Sequence, residues 1–427
     1  MPEIIDRRLV ALVCTLFMVM LGTVYSWSFF QKPLCDTFHW SNSQVAWAFS
    51  LAICFLGLAA AAGGVLLKRF GPTRFALLGG LLQGSGYLLA AVALHLRSLT
   101  LLYLGYGLIG GIGLGLGYVT PVATVARWFP DRKGLATGMV VMGFGFGAIV
   151  MSKVLAPLLL ALTAGNLVVV FAVVGLLFIM FTLLLAGQIN NPPEGWQPHG
   201  HTPAAATAQA IESRFVSTVD AVLSRQFLLM WGIFFCNIIA GIALIGFQSP
   251  LFQEVIRSAY PLLSPAALAG YGATLIALSS LFNGIGRFFW GGLSDRIGRK
   301  RTFNLLLGSQ FVAFILLIYV RTPWIFAVLV CYVLLCYGGG FGTMPSFVLD
   351  IFGSRLMPAV YGVILTAWSA AGVGGPQLVA TVKDRFPEEL YPGRASTISF
   401  AIGAGFLAAG LVLSFWAKNS DSSSRTE

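Results

Sequence analysis

Long apolar runs, each closed by a short polar break, recur from one end of the chain to the other. Twelve of them approach or exceed the ~20 residues that a helix needs to cross a hydrocarbon core: 9–30, 43–67, 75–95, 100–124, 135–161, 166–187, 227–252, 266–293, 303–320, 324–349, 358–381 and 395–417. A bilayer offers no water to unpaired backbone groups, so such runs must be helices. The fold expected is an all-α membrane protein with twelve transmembrane helices. The longest polar interruption, 188–226, is rich in Pro, His, Thr and Ala and reads as a cytoplasmic linker. It divides an N-terminal six-helix bundle (1–187) from a C-terminal one (227–417), and residues 418–427 form a cytoplasmic tail.

Internal repetition supports the division. Gly64-Val65-Leu66-Leu67-Lys68-Arg69-Phe70-Gly71 follows the second run, and Gly291-Gly292-Leu293-Ser294-Asp295-Arg296-Ile297-Gly298-Arg299-Lys300 follows the eighth. Likewise Arg127-Trp128-Phe129-Pro130-Asp131-Arg132, after the fourth run, answers Asp350-Ile351-Phe352-Gly353-Ser354-Arg355, after the tenth. Six spans return the chain to its starting side, so the two halves are parallel repeats.

Composition agrees: 57% of residues are hydrophobic and only 10% charged, against about a quarter charged in soluble domains. The net charge of +11 gathers on one side of the predicted membrane, in Arg7, Arg8, Lys68, Arg69, Arg74, Arg127, Arg132, Lys133 and the Arg296 to Arg301 cluster. This is the positive-inside pattern, which places both termini in the cytoplasm and explains the basic balance without a nucleic-acid partner. A multi-pass protein of the plasma membrane, in bacteria the inner membrane, is expected. Arg7-Arg8 before an apolar run could pass for a secretion signal, but the run has bilayer length and no small-residue cleavage site. The six cysteines show no metal-binding or disulfide spacing and read as small packing residues.

Gly105-Tyr106-Gly107-Leu108-Ile109-Gly110 matches a dinucleotide-binding pattern, but that fingerprint needs a preceding strand. Within a span, glycines at this density serve close helix approach. No carboxylate pair, His cluster or Ser/His/Asp set falls at membrane depth, so no enzyme chemistry, metal or cofactor is expected. Two cations do fall within spans. Lys153 has two readings: it snorkels to the surface along its flexible stem, or it is desolvated and takes and releases a proton.

Arg287 is harder to set aside, since it cannot shed its charge. On insertion scales an arginine at mid-membrane costs about 2.5–3.5 kcal/mol, so it faces a wet cavity, a partner or an anion. Asn283 lies one helical turn earlier on the same face and can orient the guanidinium or share a ligand. Its planar fork matches a carboxylate. Tyr25, Trp27, Tyr118, Tyr337, Phe341 and Trp368 lie in spans that could complete a pocket, and buried phenols need hydrogen-bond partners.

The glycine- and arginine-rich hairpins resemble those of the major facilitator superfamily. The second copy, with Asp295, Arg296, Gly298 and Arg299, matches fully, whereas Lys68 holds the acidic position of the first. If the loop aspartate latches a neighbouring span, only the second latch, through Asp295, is intact. Tyr25-Ser26-Trp27, Tyr118, the Arg127 to Ala136 stretch and Asn283-Gly284-Ile285-Gly286-Arg287 resemble the oxalate/formate antiporter family and the related monocarboxylate transporters. That resemblance implies a major facilitator fold, a carboxylate held by Arg287, and a cavity lined by Tyr25, Tyr118 and Tyr337. Where a dicarboxylate exchanger of the family has a second cation, this chain has Trp368, and Asn283 replaces an aspartate of animal relatives. The function expected is transport of a small monocarboxylate such as lactate or pyruvate with a proton. Exchange of monoanions is the alternative, and a membrane carboxylate sensor is the reading from another class. No protein partner is implied.

Overall fold

The computed structural model describes residues 6–129, 133–193, 196 and 217–417. Residues 197–216 of the expected linker, the 418–427 tail, and Asp131 with Arg132 lie outside these. Twelve helices are long and apolar enough to span a membrane: α1 (Arg7–Phe38), α2 (Asn42–Gly64), α3 (Pro72–His95), α4 (Leu99–Trp128), α5 (Ala136–Leu162), α6 (Leu167–Gln188), α7 (Arg225–Ala259), α8 (Pro265–Ile297), α9 (Arg299–Tyr319), α10 (Pro323–Gly353), α11 (Ala359–Arg385) and α12 (Arg394–Trp416). All twelve expected spans are present. Side-chain caps start α7 and α8 one or two residues ahead of the apolar stretch, Ser224 accepting from the Phe227 N–H and Ser264 from the Ala267 N–H, and α1, α7 and α10 run a turn or two past it at their C-terminal ends.

The hairpins that repeat in sequence repeat in backbone conformation. Gly71 turns the chain from α2 into α3 at φ 80° and ψ 160°, and Gly298 turns α8 into α9 at φ 90° and ψ 150°, a region that side-chain-bearing residues avoid. Packing repeats as well. α1 lies on α5 as α7 lies on α11; α2 on α4 as α8 on α10; α3 on α6 as α9 on α12. The two sets meet along α2 with α11 and α5 with α8, a pairing that maps onto itself when the repeats are exchanged. Small residues let the backbones close there: a side chain at Gly57 would meet Ser369, and one at Gly145 would meet Gly284.

Within α4 the Tyr103–Gly110 segment winds as a π-helix. Gly105 and Gly110 lie against α3, where a Cβ at Gly86 would collide with their backbone, and Gly107 lies against Leu51 of α2. Close approach is therefore what these glycines serve. Both ends of the expected linker are structured among the described residues, for a physical reason. Trp128 at the end of α4 donates its indole N–H to the Asn190 carbonyl at 2.7 Å, Thr73 donates to the Ile189 carbonyl at 2.8 Å, and Trp196 packs edge-on to Trp128. The chain leaving α6 supplies acceptors that these buried donors need. A short helical turn, Thr218–Val222, precedes α7.

Candidate functional site

α8 carries Asn283 and Arg287 one turn apart, both buried, at 1% and 5% exposure. α10 is pressed onto this stretch by two glycines: a Cβ at Gly338 would strike the Asn283 carbonyl, and one at Gly342 the Arg287 carbonyl. That approach leaves the preceding residues, Tyr337 and Phe341, projecting beside the arginine. The Arg287 Cζ stands 5.3 Å from the centroid of the Phe341 ring, a cation–π contact.

The first repeat closes the other side. Tyr118 of α4 and Tyr25 of α1 lie in electrostatic contact with Arg287, as does Tyr337. The Tyr25 and Tyr337 hydroxyls, one from each repeat, share a hydrogen bond of 2.8 Å. Trp368 of α11 stands edge-on to Phe341 at 4.8 Å, Tyr118 at 5.6 Å and Tyr25 at 6.5 Å. Rings from α1, α4, α10 and α11 thus form one cage around a single buried guanidinium.

The polar groups in this cage are only loosely satisfied by the protein. Arg287 Nε, Nη1 and Nη2, the Asn283 Oδ1 and the Trp368 indole N–H are buried and make no short, well-aligned hydrogen bond among the described residues, with the Tyr118 hydroxyl near the guanidinium and the Tyr337 hydroxyl near the Trp368 indole. A buried charge left unpaired costs about 3–5 kcal/mol. The arrangement therefore presents charge and donors to an anion that also accepts from a phenol.

Trp27, one of the aromatics that could complete the pocket, and Lys153, the proton-coupling candidate, stand outside the cage. Trp27 donates its indole N–H to Gln31 Oε1 at 2.9 Å and packs on Tyr106 and Phe49, away from the cage. It follows Tyr25 by two residues, which turns it ~200° around the helix. Lys153 lies in a π-helical stretch of α5, Val150–Leu155, with its side chain exposed on the α5–α8 seam, where it donates to Thr274 Oγ1 at 2.5 Å. It does not reach Arg287.

Two residues that sequence reasoning passed over do belong. Phe144 of α5, fully buried, stands edge-on between Tyr25 at 5.0 Å and Tyr118 at 5.2 Å. Its signal was the flanking Gly143 and Gly147, whose contacts with α1 at Thr15, Val19 and Gly22 turn the intervening phenylalanine inward. Tyr361, two turns before Trp368 on the same face of α11, lies in electrostatic contact with Tyr118 and Arg287.

At the face carrying the chain ends, the second hairpin is tied by Arg299 rather than by Asp295. Arg299 Nε pairs with Asp350 Oδ2 of α10 at 3.1 Å, and the same guanidinium bonds Ser294. Among the described residues Asp295 pairs within its own hairpin, with Arg299 at 2.5 Å, and its side chain is 66% exposed. Gly298 allows the turn, and no ion pair of Arg296 enters the tie among the described residues.

Residues 12–376 match the model of the Major Facilitator Superfamily. The chain belongs to that superfamily of membrane transporters, and it is a multi-pass transporter rather than an enzyme. It is 26% identical to the oxalate:formate antiporter of Oxalobacter formigenes over 384 residues, covering 89% of this chain and 86% of that one. It is 27% identical to apicoplast pyruvate carrier 1 of Toxoplasma gondii over 391 residues, covering 80% and 70%. Monocarboxylate transporter 14 of Mus musculus shares 29% identity over 182 residues, 42% of this chain and 34% of that protein. In fold, a bacterial homologue of the human lysosomal transporter Spinster, solved inward-facing and occupied, superposes with a TM-score of 0.67 at 18% identity, covering 96% of this chain and 95% of that one.

Proposed function

We propose that this chain carries small monocarboxylate anions, of the lactate and pyruvate kind, across a membrane by alternating access. The observation that carries the reading is the buried Arg287 guanidinium, which has no carboxylate beside it and makes no well-aligned hydrogen bond among the described residues, only a loose one with the Tyr118 hydroxyl. A carboxylate fits its fork. Asn283, Tyr25, Tyr118 and Tyr337 orient the anion, while Phe341 and Trp368 face its carbon chain. One cation in the cage matches one carboxylate. The names of the relatives point the same way, to oxalate, formate, pyruvate and monocarboxylates.

Two bundles, 1–187 and 227–417, rock about this cage while the 188–226 segment links them. A docked anion removes the cost of an unpaired buried charge and so favours the closed state over which the bundles must pass. The basic face carrying both termini is cytoplasmic, and the membrane is the plasma membrane, the inner one in a bacterium.

Uptake with a proton is the first reading of the coupling. Exchange of one monoanion for another is the second, favoured by Lys153 lying outside the cage. Purified protein in proteoliposomes decides: labelled lactate or pyruvate should enter, and faster with the outside acid if a proton accompanies it. Counterflow indifferent to a pH gradient identifies exchange. Absence of carboxylate-dependent flux under both conditions overturns the reading. Trp368→Lys, which places a second cation in the cage, should move preference toward dicarboxylates.

A further inference from the structure

On the face opposite the chain ends, α11 finishes with a carboxylate aimed at the first turn of α2, in the other repeat. Asp384 Oδ1 accepts from the Asn42 backbone N–H at 2.8 Å and from Asn42 Nδ2 at 3.1 Å, and Oδ2 accepts from the Ser43 N–H at 2.9 Å. Two turns earlier on α11, Gln377 Nε2 donates to the Ser43 carbonyl at 3.2 Å. Unpaired N–H groups and the positive dipole end of a helix attract a carboxylate, and charge-assisted bonds are stronger than neutral ones.

α2 does not need Asp384 in order to begin. Ser41 and Gln44 already form a reciprocal capping box at that end. The adjacent Lys383 pairs with Glu254 of α7, with side chains only 10% and 22% exposed. Successive residues therefore work in two directions: Lys383 ties the end of α11 to its own repeat, and Asp384 reaches across to the other.

We infer that Asp384 is a latch that must release the start of α2 before the Arg287 cage can open to this face. The inference rests on the rocking of two bundles proposed above. Opening to this face parts α2 from α11 and breaks all three bonds to Asp384. Opening to the opposite face leaves them whole, so the latch also serves as a pivot.

A native reporter sits beside it. The half-buried free thiol of Cys35 lies 4.0 Å from Asn42 Oδ1 and 3.9 Å from Gln31 Nε2. In full-length protein in membranes, a membrane-impermeant maleimide applied to this face should label Cys35 about tenfold faster in Asp384→Asn, the equivalent of about 1.4 kcal/mol. Asp384→Glu should restore part of the protection, and Cys35→Ser gives the background. Labelling unchanged in Asp384→Asn overturns the latch. As a second measure, Asn42→Cys with Asp384→Cys in a Cys35→Ser background should lose labelled pyruvate uptake on oxidation and regain it on reduction. Undiminished uptake by the cross-linked protein also overturns it. The labelling assay needs no substrate. Faster Cys35 labelling with no uptake of any monocarboxylate by the unmodified chain would support the latch and count against the carboxylate reading alone.

Discussion

Ala60 of α2 and Arg287 of α8 occupy the same place in the two repeats, equally far ahead of the hairpin glycines Gly71 and Gly298. Both are buried. Gly115 of α4 and Gly338 of α10 correspond by the second repeated motif, in which Arg127 answers Asp350, and each brings its helix against a backbone carbonyl of the neighbour: Leu56 in the first repeat, Asn283 in the second. Leu56 matches Asn283, so the two pairs cross at the same level, and α10 adds Gly342 against the Arg287 carbonyl where α4 has Val119. One scaffold thus serves two ends. In the first repeat the glycine seam packs alanine and frees Tyr118 to point inward; in the second it clamps the backbone that bears the charge. A site for an anion needed one repeat to keep the seam and the other to load it.

The comparison breaks most visibly at the charge. Arg287→Ala should lower uptake about 100-fold, within the 2–5 kcal/mol typical of cutting a buried charge pair, while the protein still reaches the membrane. Arg287→Lys should rescue little, because the fork is lost with the guanidinium. Robust uptake by both variants would remove the assigned role. Ala60→Arg in the Arg287→Ala background should not restore transport, and recovery there would mean the repeats are interchangeable.

The seam gives a smaller and more selective effect. A methyl at either glycine costs about 1–3 kcal/mol through overpacking, so Gly115→Ala and Gly342→Ala should both lower the melting temperature in detergent. Only Gly342→Ala should also raise the KM for uptake, about tenfold, because it displaces the Arg287 backbone. Equal KM effects would make the seams alike. The bond between repeats comes next: Tyr337→Phe removes one hydroxyl of the Tyr25–Tyr337 pair, worth about 1 kcal/mol, and uptake should fall about fivefold.

The smallest effect lies at the loop before α12. Burial, and after it the charge of Glu254, holds the Glu388 carboxyl above its ordinary value of 4.5, against the pull of the Gly393 amide, Lys383 and Arg321. A carboxyl raised in the folded state binds its proton more tightly there than in the unfolded chain. Its contribution to stability is therefore present at and below the ordinary carboxyl range and lost as pH rises above it. Glu388→Gln should melt higher than the unmodified protein near neutral pH, with the difference shrinking in acid. A difference that does not change with pH would place the cause elsewhere.

The twelve helices were legible because a bilayer leaves an apolar run of that length no other structure, and the repeat because its hairpin glycines must adopt a backbone few other residues tolerate. Arg287, Asn283, Tyr25, Tyr118, Tyr337, Phe341 and Trp368 could be chosen from residue type and depth, and they converge. Depth without rotation drew Trp27 into the pocket and left the two readings of Lys153 open: which face of a helix turns inward is set by neighbours that a single span does not reveal. Phe144 carries no polar group to draw notice. Asp384 and its partners lie at helix ends 342 residues apart in the chain, a contact without periodicity. The Arg299–Asp350 tie was missed because the conspicuous aspartate of the hairpin, Asp295, is its exposed member.

The missing counter-charge of Arg287 has an electrical consequence. In the proposed rocking cycle the cage without an anion carries one positive charge, a bound carboxylate cancels it, and a proton travelling with the carboxylate restores it. A membrane potential is worth ~2.3 kcal/mol per charge per 100 mV for a full crossing, and the guanidinium near the pivot crosses a fraction of that. Under exchange, voltage therefore spares both loaded steps; with a proton it acts equally on the loaded and the empty steps, so neither coupling moves net charge over a full cycle.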